Sequence, residues 1–292
     1  MSARLLSTVA ALAAMAALTA CGQTTRTTDT SAGPVAPNPA PIQTEQLLGP
    51  MGSYETYVYR HLATLRPQLA TLQQDLAANN ASAAKRDWQK ARISWLQIGQ
   101  DDQQYGAFGN LGGAIDGLAA GLKGGAHSAA FTGFHRVEYD LYTSHNLHAA
   151  QADTAKLRSL VSQMTPQTVT KDLALTPKSL DTWVLRCHEI LEDALRDSLS
   201  RNDDYGSHME LASVSADVTA TREMLSVLGP LIQPRMPGLL STAARQLRTI
   251  DARIKAAHGG TAARERLNAS VSAALETLAP VSEVIQITNA NT

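Results

Sequence analysis

The chain has 292 residues, 44% of them hydrophobic, and 25 Lys and Arg against 26 Asp and Glu give a formal charge of −1. This near-neutral balance, with no basic stripe and few aromatics, excludes the electrostatic footprint of a nucleic-acid-binding protein. Only Cys21 and Cys187 are present, so a thiolate cluster for zinc or iron–sulfur is excluded as well.

The chain opens with Arg4 and an apolar, Ala-rich stretch from Leu5 to Leu18. That stretch is too short to span a bilayer comfortably and reads as a signal peptide. Leu18-Thr19-Ala20-Cys21 looks like a bacterial lipobox, in which Cys21 is acylated and becomes the mature N-terminus. The competing reading is an ordinary signal peptide with a chance cysteine. From 22 to 45 the sequence is rich in Thr, Ser, Pro and Ala with little to bury, which predicts a flexible tether. Residues 46–292 are long enough for one large domain or two packed halves.

That remainder reads as helix after helix, without period-2 strands. A first helix is expected over Tyr54–Ala78, kinked at Pro67, and a second over Ser82–Gln100 with Ser82 as N-cap and Trp88, Ala91, Trp95 and Ile98 on its apolar face. The Gly-rich run from Gly106 to Gly125 predicts a loop with a short helical piece, and G-F-H-R-V-E-Y-D-L-Y opens another short helix. Further helices are expected over Ala155–Met164, Pro166–Leu173 and Pro177–Ser200, then Glu210–Leu228, Pro237–Ala257 and Thr261–Leu278. Gly229-Pro230, Gly259-Gly260 and Pro280 punctuate the last three. The fold class is all-α, with two antiparallel bundles packed together.

His135 and Glu138 carry the strongest local signal, because at i, i+3 an imidazole and a carboxylate share one helix face and can bind one metal ion. Eight His among 26 acids give ~0.7 such pairs by chance, so the spacing alone also fits an ordinary helix-surface contact. His188 with Glu192 reads first as a local i, i+4 contact, and Ser207 with Glu210 as a capping box. His145 and His148 lie near a loop. Cys187 sits on the stripe of Trp183, Ile190, Leu191, Ala194 and Leu195 as a small buried hydrophobe.

The ordered set of G-F-H-R-V-E-Y-D-L, Y-G-A-F-G-N-L-G-G-A-I-D-G, G-L-K-G-G-A-H, H-E-I-L-E-D-A-L-R and D-D-Y-G-S-H-M-E-L resembles the imelysin-like (M75) family. Within it the chain is similar to the EfeO/EfeM-type iron-uptake lipoproteins, in the shorter form without a cupredoxin-like domain. The resemblance implies an exported, lipid-anchored envelope protein that captures iron, Fe²⁺ or Fe³⁺, alongside a membrane permease and a haem-peroxidase-like partner. His135 and Glu138 match the family's G-x-H-x-x-E metal pair. Asp116, His127, Glu189, Glu192, His208 and Glu210 are the further candidate ligands. Leu96, Asn110 and Gly112 stand where relatives often carry acids, which weakens a site for a hard cation and leaves another divalent metal open. Two other functions remain: a helical adaptor that binds no metal, and a metallopeptidase. The peptidase lacks an H-E-x-x-H motif.

Overall fold

Helices supply nearly all the regular structure of the computed structural model, which describes residues 40, 42–100, 106–173 and 177–285 and contains no β-strand among them. The expected signal peptide, Cys21 and the tether as far as residue 39 lie outside the described residues.

The first helix, α1 (Glu45–Ala77), is longer than the sequence predicts. Leu47, Met51, Tyr54, Val58, Leu62, Leu65, Leu69, Leu72 and Leu76 recur every three or four residues and are all buried, so one apolar stripe runs its length. Burying each such side chain stabilises the fold by ~1.5–3 kcal/mol. That stripe carries the helix back through Gly49, Pro50 and Gly52, ahead of the expected start at Tyr54. Ile42 is also fully buried, so the packed domain begins ahead of residue 46. Pro67 lies on the exposed face, where the carbonyl left unpaired by its missing N–H meets solvent, and the helix runs on past it.

Helix α2 (Ala81–Leu96) is capped by Asn80, ahead of the expected Ser82, and the Asn80 side chain accepts from the Ala83 amide at 3.1 Å. It stops short of Gln100: Gly99 turns left-handed at φ +71°, and α1 takes the carbonyls just beyond the helix end. Tyr57 Oη donates to Gln97 O at 2.6 Å, and Tyr54 Oη donates to Ile98 O. Helices α3 (Gly109–Asp116) and α4 (Gly133–Glu138) follow, with a 3₁₀ turn at Gly125–His127 between them. Helix α5 (Leu147–Ser162) begins earlier than predicted because Asn146 caps it, accepting from Ala149 N at 3.0 Å. Helices α6 (Pro166–Asp172) and α7 (Pro177–Asp193) complete the middle of the chain.

Helix α8 (Glu210–Ile232) passes through Gly229-Pro230 instead of ending at Leu228. Pro230 faces outward, while Leu228, Leu231 and Ile232 keep the buried stripe in phase. Helices α9 (Leu239–Ala256), α10 (Thr261–Leu278) and the short α11 (Val281–Val284) close the described chain. Helix α1 packs on α2 and α5, with α4 against α5. Helices α7, α8, α9 and α10 pack on one another, and α8 also meets α1 and α2. None of the described helices is long and apolar enough to cross a membrane.

Two helices end in a wider turn. Helix α4 continues as a π turn over Tyr139–Thr143, and α7 as another over Ala194–Ser198. Such π segments are frequent at functional sites, and here both extend helices whose side chains reach the same cavity.

Candidate metal centre

The short helix α4 is held in place by the glycine that opens it. Gly133 has φ +79°, a left-handed value, and a Cβ there would lie 2.1 Å from Ile115 O at the end of α3. Thr132 Oγ1 donates to Ala114 O at 2.8 Å, and Trp88 Nε1 donates to Phe134 O at 3.1 Å. These contacts lock α4 against α2 and α3. Gly133→Ala is expected to cost more than about 2 kcal/mol in chemical denaturation, since it combines left-handed strain with a backbone clash.

His135 and Glu138 are buried on that helix, 2% and 1% exposed. His135 Nδ1 meets Glu138 Oε2 at 3.0 Å. The other Glu138 oxygen accepts from Tyr205 N at 3.0 Å, Ser207 N at 3.1 Å and Ser207 Oγ at 2.5 Å. Both carboxylate oxygens are therefore engaged, one by the imidazole and one by the segment that follows α7. The far nitrogen, His135 Nε2, lies 3.5 Å from Asp116 Oδ1 and 3.2 Å from Arg92 Nη2. Arg92 Nη1 donates to Asp116 Oδ2 at 2.5 Å, and Trp95 Nε1 donates to the same oxygen at 3.0 Å.

Arg92 is thus a buried cation set between an aspartate and an imidazole. A guanidinium only donates, so a neutral His135 that accepts at Nε2 carries its proton on Nδ1 and gives it to Glu138. Burial and the Arg92 guanidinium disfavour the imidazolium. Glu138 and Asp116 outweigh them and hold the His135 pKa above the ordinary histidine value.

This cluster opens on a cavity of about 660 Å³ whose lining includes Arg92, Asp116 and His135 together with Asp193, Arg196, Asp197, Asp203 and Asp217. Its charged lining is thus five aspartates, two arginines and one histidine. Burial pushes the Asp203 carboxyl up, against the pull of His135 and Arg92, and Ser198 Oγ donates to it at 3.1 Å. Asp193 is gripped by Arg186 Nη1 at 2.8 Å and Arg196 Nη2 at 2.9 Å. A concave, carboxylate-rich wall with an imidazole is suited to a cation that prefers oxygen and nitrogen donors.

Of the residues expected from the sequence, Asp116, His135 and Glu138 come together here. His127 is exposed, its ring edge-on to Tyr139 at 6.0 Å between centroids. Glu189 and Glu192 stand with His188 on α7, their ligand atoms within 4.8 Å of one another. His208 and Glu210 form a third group with Asp204. The expected capping box is not formed: Met209 is the N-cap of α8, and Ser207 Oγ turns to Glu138. Leu96 and Asn110 line the cavity at positions where the family resemblance implies acids, and Gly112 is buried nearby in α3. Asp193, Asp197, Asp203 and Asp217 bring carboxylates to that same cavity from the second half of the chain, and sequence reading missed all four. The one local hint was the i, i+4 spacing of Asp193 and Asp197.

Comparison with known proteins agrees with this arrangement of motifs. A family model described as "Peptidase_M75: Imelysin" matches residues 52–283. The chain is 22% identical over 217 residues to the iron uptake system component EfeM of Pseudomonas syringae pv. syringae, covering 73% of each chain. It is 23% identical over 214 residues to the iron uptake system component EfeO of Yersinia pestis, covering 73% of this chain and 55% of that one. The corresponding EfeO of Escherichia coli is 23% identical over 203 residues, with 70% and 52% covered. The chain thus spans about half the length of the EfeO relatives it matches. The family match covers most of the chain, including every helix that builds the cavity, and the chain belongs to the imelysin family.

Proposed function

We propose that this protein is an exported, lipid-anchored metal-binding component of iron uptake, with iron as its cargo. The observation that carries the reading is His135 Nε2, which faces Asp116 and the carboxylate-lined cavity while Glu138 holds the opposite ring nitrogen. Ligand atoms bound to one ion at ~2.0–2.2 Å stand roughly 3–3.5 Å apart, and the separation of His135 Nε2 from Asp116 Oδ1 matches that spacing. In this reading His135 and Asp116 bind the ion from one wall and Asp203 from the other. Glu138, with both oxygens occupied, orients the imidazole and raises its basicity. Relatives named as iron uptake components support iron as the cargo. The lipobox cysteine Cys21 holds the domain at the extracytoplasmic face of the membrane, where a permease and a haem-peroxidase-like partner take up the metal.

Equilibrium titration of the compact unit 38–292 with Fe²⁺, Fe³⁺, Zn²⁺ and Cu²⁺ tests the proposal. His135→Ala and Asp116→Asn are each expected to abolish binding. Glu138→Gln keeps the ligands but loosens the imidazole, and weakens binding by ~10–100-fold. A wild-type domain that binds no metal at micromolar concentration, with its helical signal intact, supports the helical-adaptor alternative. Chelator-sensitive cleavage of a peptide library supports hydrolysis in place of transport.

A further inference from the structure

A second cavity, of about 670 Å³, opens at the start of α8. Its charged lining is cationic apart from one carboxylate. Arg201 Nη2 and Arg264 Nη1 both donate to Glu210 Oε1, at 2.5 and 2.9 Å. Two guanidiniums against one carboxylate make the lining itself net positive, with the Asp204 carboxylate behind it also acting on Arg201. The two arginine side chains remain 48% and 39% exposed, which leaves most of their fork of N–H donors for a further acceptor. His208 and His258 line the same space.

The backbone adds to this field. Glu210, Leu211 and Ala212 form the first turn of the 23-residue α8 and line the cavity, so the positive end of that helix is directed at it. Met209, the N-cap, brings no side-chain oxygen to that turn. The segment leading in is held in an uncommon conformation: Arg201 has φ +63° and His208 φ +56°, both left-handed for residues with a Cβ. Asp204 pins it, accepting from Gly206 N at 2.9 Å, His208 N at 3.0 Å and His208 Nδ1 at 2.8 Å. Ile93 from α2 and Ile254 from α9 add apolar surface to the lining, beside Gln89 of α2.

We infer that this cavity binds an organic anion, a carboxylate carried on an apolar body, through Arg201, Arg264 and the first turn of α8. The carboxylate bridges the two guanidiniums beside Glu210, and the body lies against Ile93 and Ile254. The site is separate from the proposed metal centre, since none of His135, Asp116 and Asp203 lines this cavity.

Calorimetric titration of the 38–292 unit with hexanoate, acetate and inorganic phosphate tests it. Hexanoate binds, and acetate and phosphate bind at least tenfold more weakly for want of the apolar body. Arg201→Gln and Arg264→Gln each weaken hexanoate at least tenfold. Ser215→Trp fills the cavity with both arginines retained and abolishes binding. His135→Ala leaves hexanoate unchanged whether or not metal binds, so the two readings fail separately. Three outcomes overturn the inference: no binding of hexanoate at millimolar concentration, binding that survives both arginine variants, or acetate and phosphate binding as tightly as hexanoate. Circular dichroism melts confirm that each variant is folded.

Discussion

Arg186→Met is expected to lower stability by ~3–5 kcal/mol. Arg186 is fully buried on α7. Its Nε donates to Gly99 O at 3.0 Å and its Nη1 to Asp193 Oδ2 at 2.8 Å. Gly99 ends the α2 region, where a Cβ would meet Ile190 Cδ1 at 2.8 Å, so this arginine ties α7 to the turn that follows α2. Removing it takes the buried cation from a carboxylate that is itself 8% exposed and also leaves a carbonyl without its donor. Arg196 still reaches Asp193 from the rim, at 2.9 Å, but that side chain is 44% exposed and gives a solvent-screened interaction. In a domain of this size the loss lowers the Tm by on the order of 10 °C in calorimetry. Arg186→Met/Asp193→Leu removes both partners and is expected to recover most of it, since a buried pair replaced by apolar groups is often neutral. A double variant no more stable than the single one contradicts the assignment.

Arg92→Leu is expected to tighten metal binding at least tenfold while weakening the metal-free fold. In the present structure the Arg92 guanidinium takes the place of a cation, with one Nη on Asp116 and the other on His135. A metal ion that binds those same atoms has to displace it, and the ion's net affinity is lowered by the energy of the contacts broken. Leucine removes the competitor and leaves Asp116 buried, with the Trp95 Nε1 donor still in place. The metal-free variant therefore loses stability, by ~3–5 kcal/mol for an uncompensated buried charge. Metal at a hundred times its Kd then returns ~2.7 kcal/mol by mass action. Thermal melts with and without metal are thus expected to differ more in the variant than in the wild type. If Arg92 instead holds the ligands in place, affinity falls in Arg92→Leu and displacement is ruled out.

How much of the fold and the site was legible in the sequence depends on how local each signal is. The all-α class was legible because apolar residues repeat at three and four along every long element, as on α1 and α8. Helix ends were read less well where Gly and Pro mislead. Gly229-Pro230 looks like a break and Gly49-Pro50 lies ahead of the expected start at Tyr54, yet both prolines sit where the buried stripe continues past them. Tertiary contacts override the local preference there, as the tyrosines of α1 do at the end of α2. His135 and Glu138 were legible because one helical turn brings them together. Their separate tasks were not, because Glu138 is claimed by Tyr205 and Ser207 from far along the chain. Arg92 was not among the candidate residues, since nothing in A-R-I-S-W signals that α3 and α4 close over it. The four cavity aspartates from the second half of the chain were hidden for the same reason, being brought there by α7, α8 and the segment between them.

The most direct test of the metal centre is anomalous diffraction from crystals of the 38–292 unit loaded with iron. The expected result is a single strong peak within bonding distance of His135 Nε2 and Asp116, with Asp203 on its far side and Glu138 still hydrogen-bonded to Nδ1. A peak among His188, Glu189 and Glu192, or among Asp204, His208 and Glu210, with the Arg92 cluster unchanged, would contradict it.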